Sequence, residues 1–259
     1  MLKELIGKYG KEKINTLTKY PSILTLHKIG EKGRLLSELT TPITSEDKMF
    51  ATEKIDGTNT RIVIYKDEYL LGSREFIIHH CDDLYYDTSQ GIVDGIRDLG
   101  INHKIPMSET LIVYYGELYG GKVSANSKWY GTDKIGYRIF DVAIFKDLSI
   151  LEKSVPEISR WREHETENGI IYGQSFVSNF DQSQVLFPSF EKVPEVPFEL
   201  GDMSHETILN NLKKFVPETR VALSDSALKK SEGVVLRNAD RTKIVKLRFE
   251  DYERTLRNK

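Results

Sequence analysis

The sequence predicts an α+β fold, in which antiparallel strand pairs alternate with helices. One observation is RIVIYKDEYLLGS (61–73), where two strand-like runs are joined by a Lys-Asp-Glu turn, as in a hairpin. A second is TSQGIVDGIRDLG (88–100), whose apolar residues have helical spacing and which stops at a glycine. Hairpins with helices between them are typical of the α+β class.

Composition sets outer limits on the kind of protein. The 259 residues, 39% hydrophobic and 29% charged, predict one large domain or two small ones. Cys81 is the single cysteine, so no intrachain disulfide can form and a cytoplasmic location is expected. The sequence shows no signal-peptide pattern and no apolar stretch near the ~20 residues that span a bilayer. With a net charge of −2, any polyanion must be bound by local basic patches, such as 3–19 and 241–259.

In the first half of the chain, the sequence pattern predicts one helix before the hairpin and two long strands after it. Residues 2–15 carry apolar side chains at loose helical spacing, and Pro21 closes that segment. TLIVYYGELYGG (110–121) and KIGYRIFDVAIF (134–145) are rich in apolar, aromatic and β-branched residues, which favours central strands.

The second half predicts a loop, a helix and a strand pair. Residues 181–202 contain three prolines and indicate a loop, and SHETILNNLKKFV (204–216) returns to helical spacing. EGVVLRN (232–238) and KIVKLRF (243–249) predict two short strands around the turn-like ADRT. The sequence contains no evident repeat, low-complexity tract or linker that divides it.

Charged and polar motifs recur at the ends of these predicted strands. Each is weak alone, because a Lys-x-Asp-Gly quartet often occurs by chance. The ordered series is more informative: EKIDGTN (53–59), GSRE (72–75), YGELYGG (115–121), RIFDV (138–142), SEGVVLR (231–237) and IVKLR (244–248). The alternatives for single members are ordinary, such as a surface carboxylate for Glu117 or a core aromatic for Phe140.

This series resembles the covalent nucleotidyltransferase superfamily of DNA ligases, RNA ligases and mRNA capping enzymes, over residues 53–248. The resemblance implies an α+β, ATP-grasp-like adenylation fold with two antiparallel sheets and flanking helices around a nucleotide cleft. It implies that Lys54 attacks the α-phosphate of a nucleoside triphosphate and becomes a lysyl-N-NMP. The implied organisation is an N-terminal extension (1–49) and an adenylyltransferase domain (50–259), with no separate C-terminal domain.

Two residues narrow the resemblance to RNA ligases of the phage and kinetoplastid editing type, the RNA ligase 2 group. DNA ligases and capping enzymes typically have arginine where this chain has Asn59, and the RNA ligases carry an arginine where this chain has Arg74. Asp56 replaces the histidine common in that group, and Arg248 replaces the second lysine of the last motif. Both substitutions keep the charge that the chemistry needs.

Physical chemistry gives each motif residue a role in this interpretation. Only about one free lysine in a thousand is a neutral amine at pH 7, and nearby Lys246, Arg248 and a divalent cation favour the neutral form of Lys54. Those cations also neutralise charge that develops on the α-phosphate. Glu117 and Glu232 are hard oxygen ligands.

The remaining candidate residues complete the predicted site. Glu117, Glu232 and Asp56 are the predicted ligands for Mg²⁺ or Mn²⁺. Phe140 offers a flat face for the base. The resemblance implies that Glu53 and Ile55 lie at the nucleotide, and Asn59 and Arg74 suit ribose or phosphate.

The sequence therefore predicts an ATP-dependent RNA ligase, or its adenylyltransferase core, that joins RNA 5′-phosphate and 3′-hydroxyl ends. The alternatives are a DNA ligase or guanylyltransferase of the same superfamily, and a non-enzymatic RNA-binding descendant. Only eleven residues follow Arg248, so we expect weak, salt-dependent RNA affinity. The N-terminal fifty residues or a second protein would then supply part of the RNA clamp.

One further cluster collects metal-ligand types, HHCDDLYYD (79–87). A structural zinc site usually needs four ligands, often from two separated pairs. No partner cluster is evident in the sequence, which favours a polar loop or an RNA-facing surface.

Overall fold

The computed structural model describes residues 1–44, 46–88, 91–166, 169–178 and 191–257. The strands of this part are β1 Leu24–Thr25, β2 His27–Ile29, β3 Leu35–Leu39, β4 Phe50–Lys54, β5 Thr58–Lys66, β6 Glu68–Ser73, β7 Ile77–His80, β8 Ser108–Gly120, β9 Ile135–Phe145, β10 His164–Thr166, β11 Gly169–Ile171, β12 Glu195–Val196, β13 Gly233–Arg237 and β14 Ile244–Arg248. The helices are α1 Leu2–Tyr9, α2 Lys11–Thr18, α3 Ile92–Asp98, α4 Val155–Arg162, α5 His205–Phe215 and α6 Phe249–Leu256, with 3₁₀ turns at Glu31–Gly33, Asn102–Lys104, Ser127–Trp129 and Ser149–Glu152. Within these residues, no helix is long and apolar enough to cross a membrane.

Two five-stranded sheets organise the fold. Sheet A has the order β7-β6-β5-β8-β9, and all its neighbours are antiparallel. Sheet B has the order β1-β14-β13-β4-β12. Its strand pairs are antiparallel as predicted except at one edge, where β1 runs parallel to β14, with Leu24 beside Val245. The reason is that β1 reaches β14 from a distant part of the chain, without a hairpin that would force antiparallel pairing.

Most predicted elements form where the sequence placed them. The hairpin is β5–β6, the long strands are β8 and β9, and β13–β14 flank the predicted turn. The predicted N-terminal helix is instead two helices, because Gly10 adopts a φ of 88° that ends α1. Ser204 accepts a hydrogen bond from the backbone N–H of Thr207 and so caps α5.

Two other segments differ from the prediction. Residues 191–202 are not wholly a loop, because they include β12, which pairs with β4. The rest of the predicted loop, 181–190, lies outside the described residues. Helix α6 follows directly after β14 in a stretch that the sequence marked only as basic.

Sheet A is buried on both faces, which explains its near-continuous apolar strands. Ile62 and Ile64 of β5 pack on one face with the apolar residues of α3. Val63 points to the other face and joins the core formed with α1, α2 and α4. Each fully buried Ile or Val side chain contributes about 1.5–3 kcal/mol. Sheet B buries one face against α5 and α6, through residues such as Leu236 and Leu212.

A buried ion-pair network joins the two sheets. Asp141 of β9 is fully buried and accepts hydrogen bonds from Arg241 Nε at 2.7 Å and from the Tyr20 hydroxyl at 2.9 Å. Arg237 of β13 contributes a second guanidinium, with Nη1 3.2 Å from Asp141 Oδ1. Asp141 belongs to sheet A, whereas Arg237 is the last residue of β13 in sheet B and Arg241 lies in the turn between β13 and β14. The network therefore holds the two sheets together beside one cleft.

Candidate active site

The cleft lies between the strands of sheet A and sheet B and encloses a cavity of about 180 Å³. Eight of the residues predicted for the site line it: Glu53, Lys54, Ile55, Asn59, Arg74, Glu117, Phe140 and Lys246. Glu53 lies on β4 and Lys246 on β14 of sheet B, with β13 between these two strands. Asn59 and Glu117 face each other on β5 and β8 of sheet A. The fold thus brings to one cavity eight predicted residues that lie up to 193 positions apart along the chain.

Lys54 is the last residue of β4, and the turn after it is held tightly against sheet A. The backbone N–H of Gly57 donates to Glu117 Oε1 at 3.1 Å, and that of Asp56 donates to the Tyr130 hydroxyl at 2.7 Å. A Cβ at Gly57 would lie 2.2 Å from the carbonyl oxygen of Leu118, so a side chain at this position would collide with β8. The glycine of the Asp-Gly pair is therefore required by close approach of the turn to the strand.

Glu232 is brought to Lys54 by the start of β13. Lys54 Nζ donates to Glu232 Oε2 at 2.7 Å. The next residue, Gly233, pairs with Lys54 across the sheet and has a φ of 151°. A Cβ at Gly233 would lie 1.9 Å from the carbonyl oxygen of Leu247, which explains why glycine follows the glutamate. Burial raises the pKa of Glu232, and the Lys54 ammonium partly offsets that rise.

Glu117 is the second carboxylate at the nucleophile. Its side chain keeps some exposed surface, but it lies deep in the cleft, and burial raises the pKa of Glu117 to about 8. The positive charge of Lys54 opposes this rise, whereas the negative charges of Glu232 and Asp56 add to it. Two carboxylates that each resist ionisation at one cavity form a site in which a bound cation would be strongly favoured.

Lys246 is the second cation of the cavity. It lies on β14, between Val235 of β13 and Thr25 of β1. Burial lowers the pKa of Lys246 to about 8, and the charges of Arg248 and Lys54 lower it further. An anionic phosphate beside such a lysine would stabilise its charged form.

The two predicted arginines are placed differently. Arg74 lies in the β6–β7 turn, has a side chain that is 63% exposed, and lines the cavity. Arg248 does not line it. Its guanidinium donates two hydrogen bonds of 2.8 Å to the carboxylate of Asp251 at the start of α6.

Phe140 and Asn59 lie at the same cavity. Phe140 is the extra residue of a β-bulge in β9, because Tyr115 pairs with Asp141 and Gly116 with Ile139. The Phe140 ring packs edge-on against Tyr20, with centroids 5.0 Å apart. Asn59 Oδ1 is buried without a hydrogen-bond partner in the described part of the chain. An orphaned polar atom in a cavity wall is suited to a ligand that donates a hydrogen bond.

The Glu53 side chain lines the cavity but also binds other residues of the chain, which the sequence did not predict. Its carboxylate is 2% exposed and accepts hydrogen bonds from the Thr219 hydroxyl and from the backbone N–H of Arg220, the latter at 2.9 Å. Burial raises the pKa of Glu53. These contacts hold residues 219 and 220 against Glu53, which itself lines the cavity.

The predicted metal ligands are Glu117, Glu232 and Asp56. The charges of Glu232 and Asp56 raise the pKa of Glu117, but the three side chains do not form a complete metal-binding site. Among the described residues, no group of three or more His, Cys, Asp or Glu side chains is close enough to hold a metal ion. Mg²⁺ usually binds through one or two carboxylates, waters and substrate phosphates, so the pair Glu117 and Glu232 fits it. Asp56 Oδ2 already accepts a hydrogen bond from Asn126 at 2.8 Å.

The 79–87 cluster is also not a metal site in the described residues. The expectation of a polar loop is wrong for its first two members, because His79 and His80 are buried strand residues of β7. Their imidazoles make local hydrogen bonds, with Nδ1 of His80 2.6 Å from Asp82 Oδ1. The turn begins only at Cys81.

Several cavity residues were not predicted as site residues. Tyr20, Arg237 and Val193 line the cavity, and Tyr130 binds the turn after Lys54. Arg237 could have been found, because it ends the SEGVVLR motif. Tyr20 carries no local signal, since its position depends on contacts with Asp141 and Arg241, which are far away in the sequence.

Comparison with known families agrees with this geometry. The family model described as RNA ligase matches residues 47–249, more than three quarters of the chain. The chain belongs to the RNA ligase family. No curated protein matched the sequence of this RNA ligase family member.

The fold of this family member is also similar to solved structures. A mutant of the Naegleria gruberi RNA ligase with ATP and Mn aligns with a TM-score of 0.55 and 13% identity, over 94% of this chain and 63% of that one. The same ligase with PPi aligns with a TM-score of 0.50 and 13% identity, over 93% and 64%. At this identity the likeness shows the adenylation-domain fold, as predicted. The chain spans a little under two thirds of the Naegleria protein's length.

Proposed function

We propose that this chain is an ATP-dependent RNA ligase, or the adenylyltransferase core of one, that forms a covalent lysyl-AMP on Lys54. The observation that supports the proposal most strongly is the meeting of Lys54, Glu117 and Lys246 at one cavity, with Glu232 in contact with Lys54, in a member of the RNA ligase family. Asn59 and Arg74 at the same cavity favour the phage and kinetoplastid editing type. In this proposal 50–259 is the adenylyltransferase domain.

The first step is attack of the Lys54 amine on the α-phosphorus of ATP. A P–N bond forms, the bond from the α-phosphorus to the bridging oxygen breaks, and pyrophosphate leaves. Lys54 must first lose a proton, and Glu232 Oε2 at 2.7 Å is within reach to accept it. The raised pKa of Glu232 makes this carboxylate a better proton acceptor than an exposed glutamate.

The cations of the cavity have a separate role. Lys246 lies where it can bind the α-phosphate, and its charge is stabilised by that contact. Arg74 lies on the exposed side of the cavity and suits an outer phosphate of ATP or an RNA 5′-phosphate. Arg248 acts on Lys246 through its charge, since Asp251 holds its guanidinium.

The nucleoside is assigned to the Phe140 end of the cavity. The bulge at Phe140 presents the ring to a purine, and base–aromatic stacking contributes about 1–3 kcal/mol. The orphaned Asn59 Oδ1 suits a ribose hydroxyl. Glu53 and Ile55 form the adjoining wall, with Glu53 holding residues 219 and 220.

Glu117 and Glu232 would hold Mg²⁺ or Mn²⁺, directly or through its waters, with Asp56 nearby. A bound divalent cation supplies charge neutralisation at the phosphates. The chain's own contribution is two buried carboxylates that are costly to ionise without a cation.

The later steps transfer AMP to an RNA 5′-phosphate and join that end to a 3′-hydroxyl with release of AMP. The test is incubation with each α-³²P nucleoside triphosphate and with labelled NAD, followed by denaturing electrophoresis. We expect label from ATP to stay on the denatured chain with Mg²⁺ or Mn²⁺ and not in excess EDTA. Label from GTP alone would indicate a guanylyltransferase, label from NAD alone would contradict ATP dependence, and no label would indicate a binding protein.

A further inference from the structure

A second depression lies beside the nucleotide cavity, and helix α2 forms one of its walls. It has a volume of about 620 Å³ and runs between α2, α4 and the start of β7. We call it the α2–α4 groove. Its lining includes Lys11, Lys19, Phe76 and Arg162. Helix α2 lies outside residues 47–249, the part of the chain that the RNA ligase family model matches.

The α2–α4 groove adjoins the nucleotide cavity along two segments. Lys19 lines the groove and the next two residues, Tyr20 and Pro21, line the cavity. Arg74 lines the cavity and Phe76, two residues later, lines the groove. Because consecutive Cα atoms are 3.8 Å apart, the Cα atoms of these lining residues are within about 8 Å of each other at both segments.

Phe76 is exposed without a packing reason. Its side chain is 66% exposed in the β6–β7 turn. It belongs to neither of the hydrophobic clusters on the two faces of sheet A. Lys19 Nζ lies 5.9 Å from the centre of the ring. An exposed aromatic ring beside a lysine matches the platforms on which single-stranded nucleic acids stack their bases.

Two arginines lie at or behind the α2 wall of the groove. Arg61 is 1% exposed and does not line the groove, but its guanidinium donates to the carbonyl and side-chain oxygens of Asn15, which does line it. Arg162 donates to the carbonyl of Thr16 at 2.9 Å. The Nε atoms of both arginines lack hydrogen-bond partners among the described residues.

Few carboxylates lie near the groove, and some of them already form ion pairs with its cationic residues. Glu12 is the acidic residue of the lining, against three cationic lining residues. Glu75 pairs with Lys19 at 2.8 Å, and Arg162 has its nearest ion-pair contact with Glu163 at 3.9 Å. The balance of the lining favours a polyanion.

We propose that the α2–α4 groove binds the single-stranded RNA segment next to the 5′-phosphate end that is to be joined. The inference rests on the proposed ligase function, because Arg74 then holds the 5′-phosphate at the border of the cavity. The following phosphates contact Lys11 and Lys19, and a base stacks on Phe76. Helix α2 thus forms part of the RNA clamp.

The test measures binding of a short 5′-phosphorylated single-stranded RNA, labelled at its 3′ end, by fluorescence anisotropy over a range of salt concentrations. Phe76→Ala should weaken binding about 5- to 100-fold, and Phe76→Trp should restore it, because stacking needs the ring. The double variant Lys11→Ala/Lys19→Ala should reduce the slope of log affinity against log salt by about 1.4, since each single-strand phosphate contact contributes about 0.7.

Two matched controls separate the groove from general surface effects. Met107→Ala removes another exposed apolar side chain, 75% exposed and next to the far end of β8 from Glu117. Lys28→Ala removes a lysine that is ion-paired like Lys19, with a 2.7 Å contact to Glu38. Both controls should bind RNA as the unmodified chain does.

The outcomes distinguish the groove from the proposed function. An unmodified chain that takes no label from α-³²P ATP contradicts the ligase proposal itself. A chain that takes label, while its groove variants bind RNA with unchanged affinity and salt slope, contradicts the groove and leaves the ligase proposal standing. Weakening by the groove variants, with unchanged controls, is the result that supports the inference.

Discussion

Lys54 Nζ lies 2.7 Å from Glu232 Oε2, so the candidate nucleophile is held by a carboxylate from the neighbouring strand. This differs from the cationic environment that the sequence predicted for Lys54. The charges of Arg248 and Lys54 lower the pKa of Lys246. The direct contact of Lys54, however, is with the carboxylate of Glu232. In the proposed mechanism, proton removal and cation binding would both involve Glu232.

Replacement of Lys54 should abolish covalent labelling. Lys54→Ala removes the amine, and Lys54→Arg retains a charge but remains protonated and is not a nucleophile. The measurement is retention of α-³²P label from ATP on the denatured chain. Lys146→Ala, at an exposed lysine after β9, should label normally. Persistent label on Lys54→Ala would place the nucleophile elsewhere.

Nucleotide affinity should fall as pH rises above about 8. The pKa of Lys246 is about 8, so the side chain loses its charge in this range and its attraction for phosphate. An ATP analogue with a methylene α–β bridge allows calorimetric titration without reaction, and we expect about 3- to 10-fold weaker binding at pH 9 than at pH 7. Lys246→Arg should flatten this profile, whereas Lys28→Arg should not. A profile unchanged in Lys246→Arg would assign the loss to another group.

Glu117→Gln should stabilise the nucleotide-free chain at high pH. The pKa of Glu117 is raised from 4.5 to about 8, so its ionisation costs native stability as pH rises through this window. Below about pH 4.5 the two proteins should be equally stable, and at pH 8 the variant should gain about 1–3 kcal/mol, or several degrees in Tm. Calorimetry between those pH values provides the measurement, with Glu109→Gln as an exposed control on the same strand. Parallel pH profiles for chain and variant would contradict the burial of this carboxylate.

Asp141→Ala should strongly destabilise the fold. It leaves the buried guanidinium groups of Arg237 and Arg241 without their shared carboxylate, and breaking a buried ion pair costs about 3–5 kcal/mol. The free energy of unfolding in urea measures the loss. Glu253→Ala removes a surface pair with Arg257 and should cost less than about 1 kcal/mol. Similar losses in both variants would mean that Asp141 does not link the sheets.

Sealing should depend on the sugar of the 3′-hydroxyl strand. Asn59 and Arg74 indicate the RNA ligase type, and the 2′-hydroxyl is the group that distinguishes RNA from DNA at a site. We expect at least about tenfold faster sealing of a nick that ends in ribose than of one that ends in deoxyribose. The comparison uses duplexes identical in every other nucleotide. Equal rates would favour a DNA ligase.

The sequence by itself determined the local elements and the chemical types at the site. The β5–β6 hairpin and strands β8 and β9 follow from periodicity and β-branched residues, which act over a few positions. The turn after Lys54 was visible as Asp-Gly, because glycine is needed where the backbone approaches β8. The motif order indicated that these segments meet, although their distances were not available from the sequence.

Tertiary structure decided the features that depend on distant segments. The parallel pairing of β1 with β14 joins residues more than 200 positions apart, and no local pattern specifies such an edge. The bulge at Phe140 depends on the register between β8 and β9, and the network of Asp141 with Arg241 forms only when both sheets are in place. The Lys54–Glu232 contact and the α2–α4 groove likewise arise from packing, since side chains far apart in sequence meet only once the core is buried.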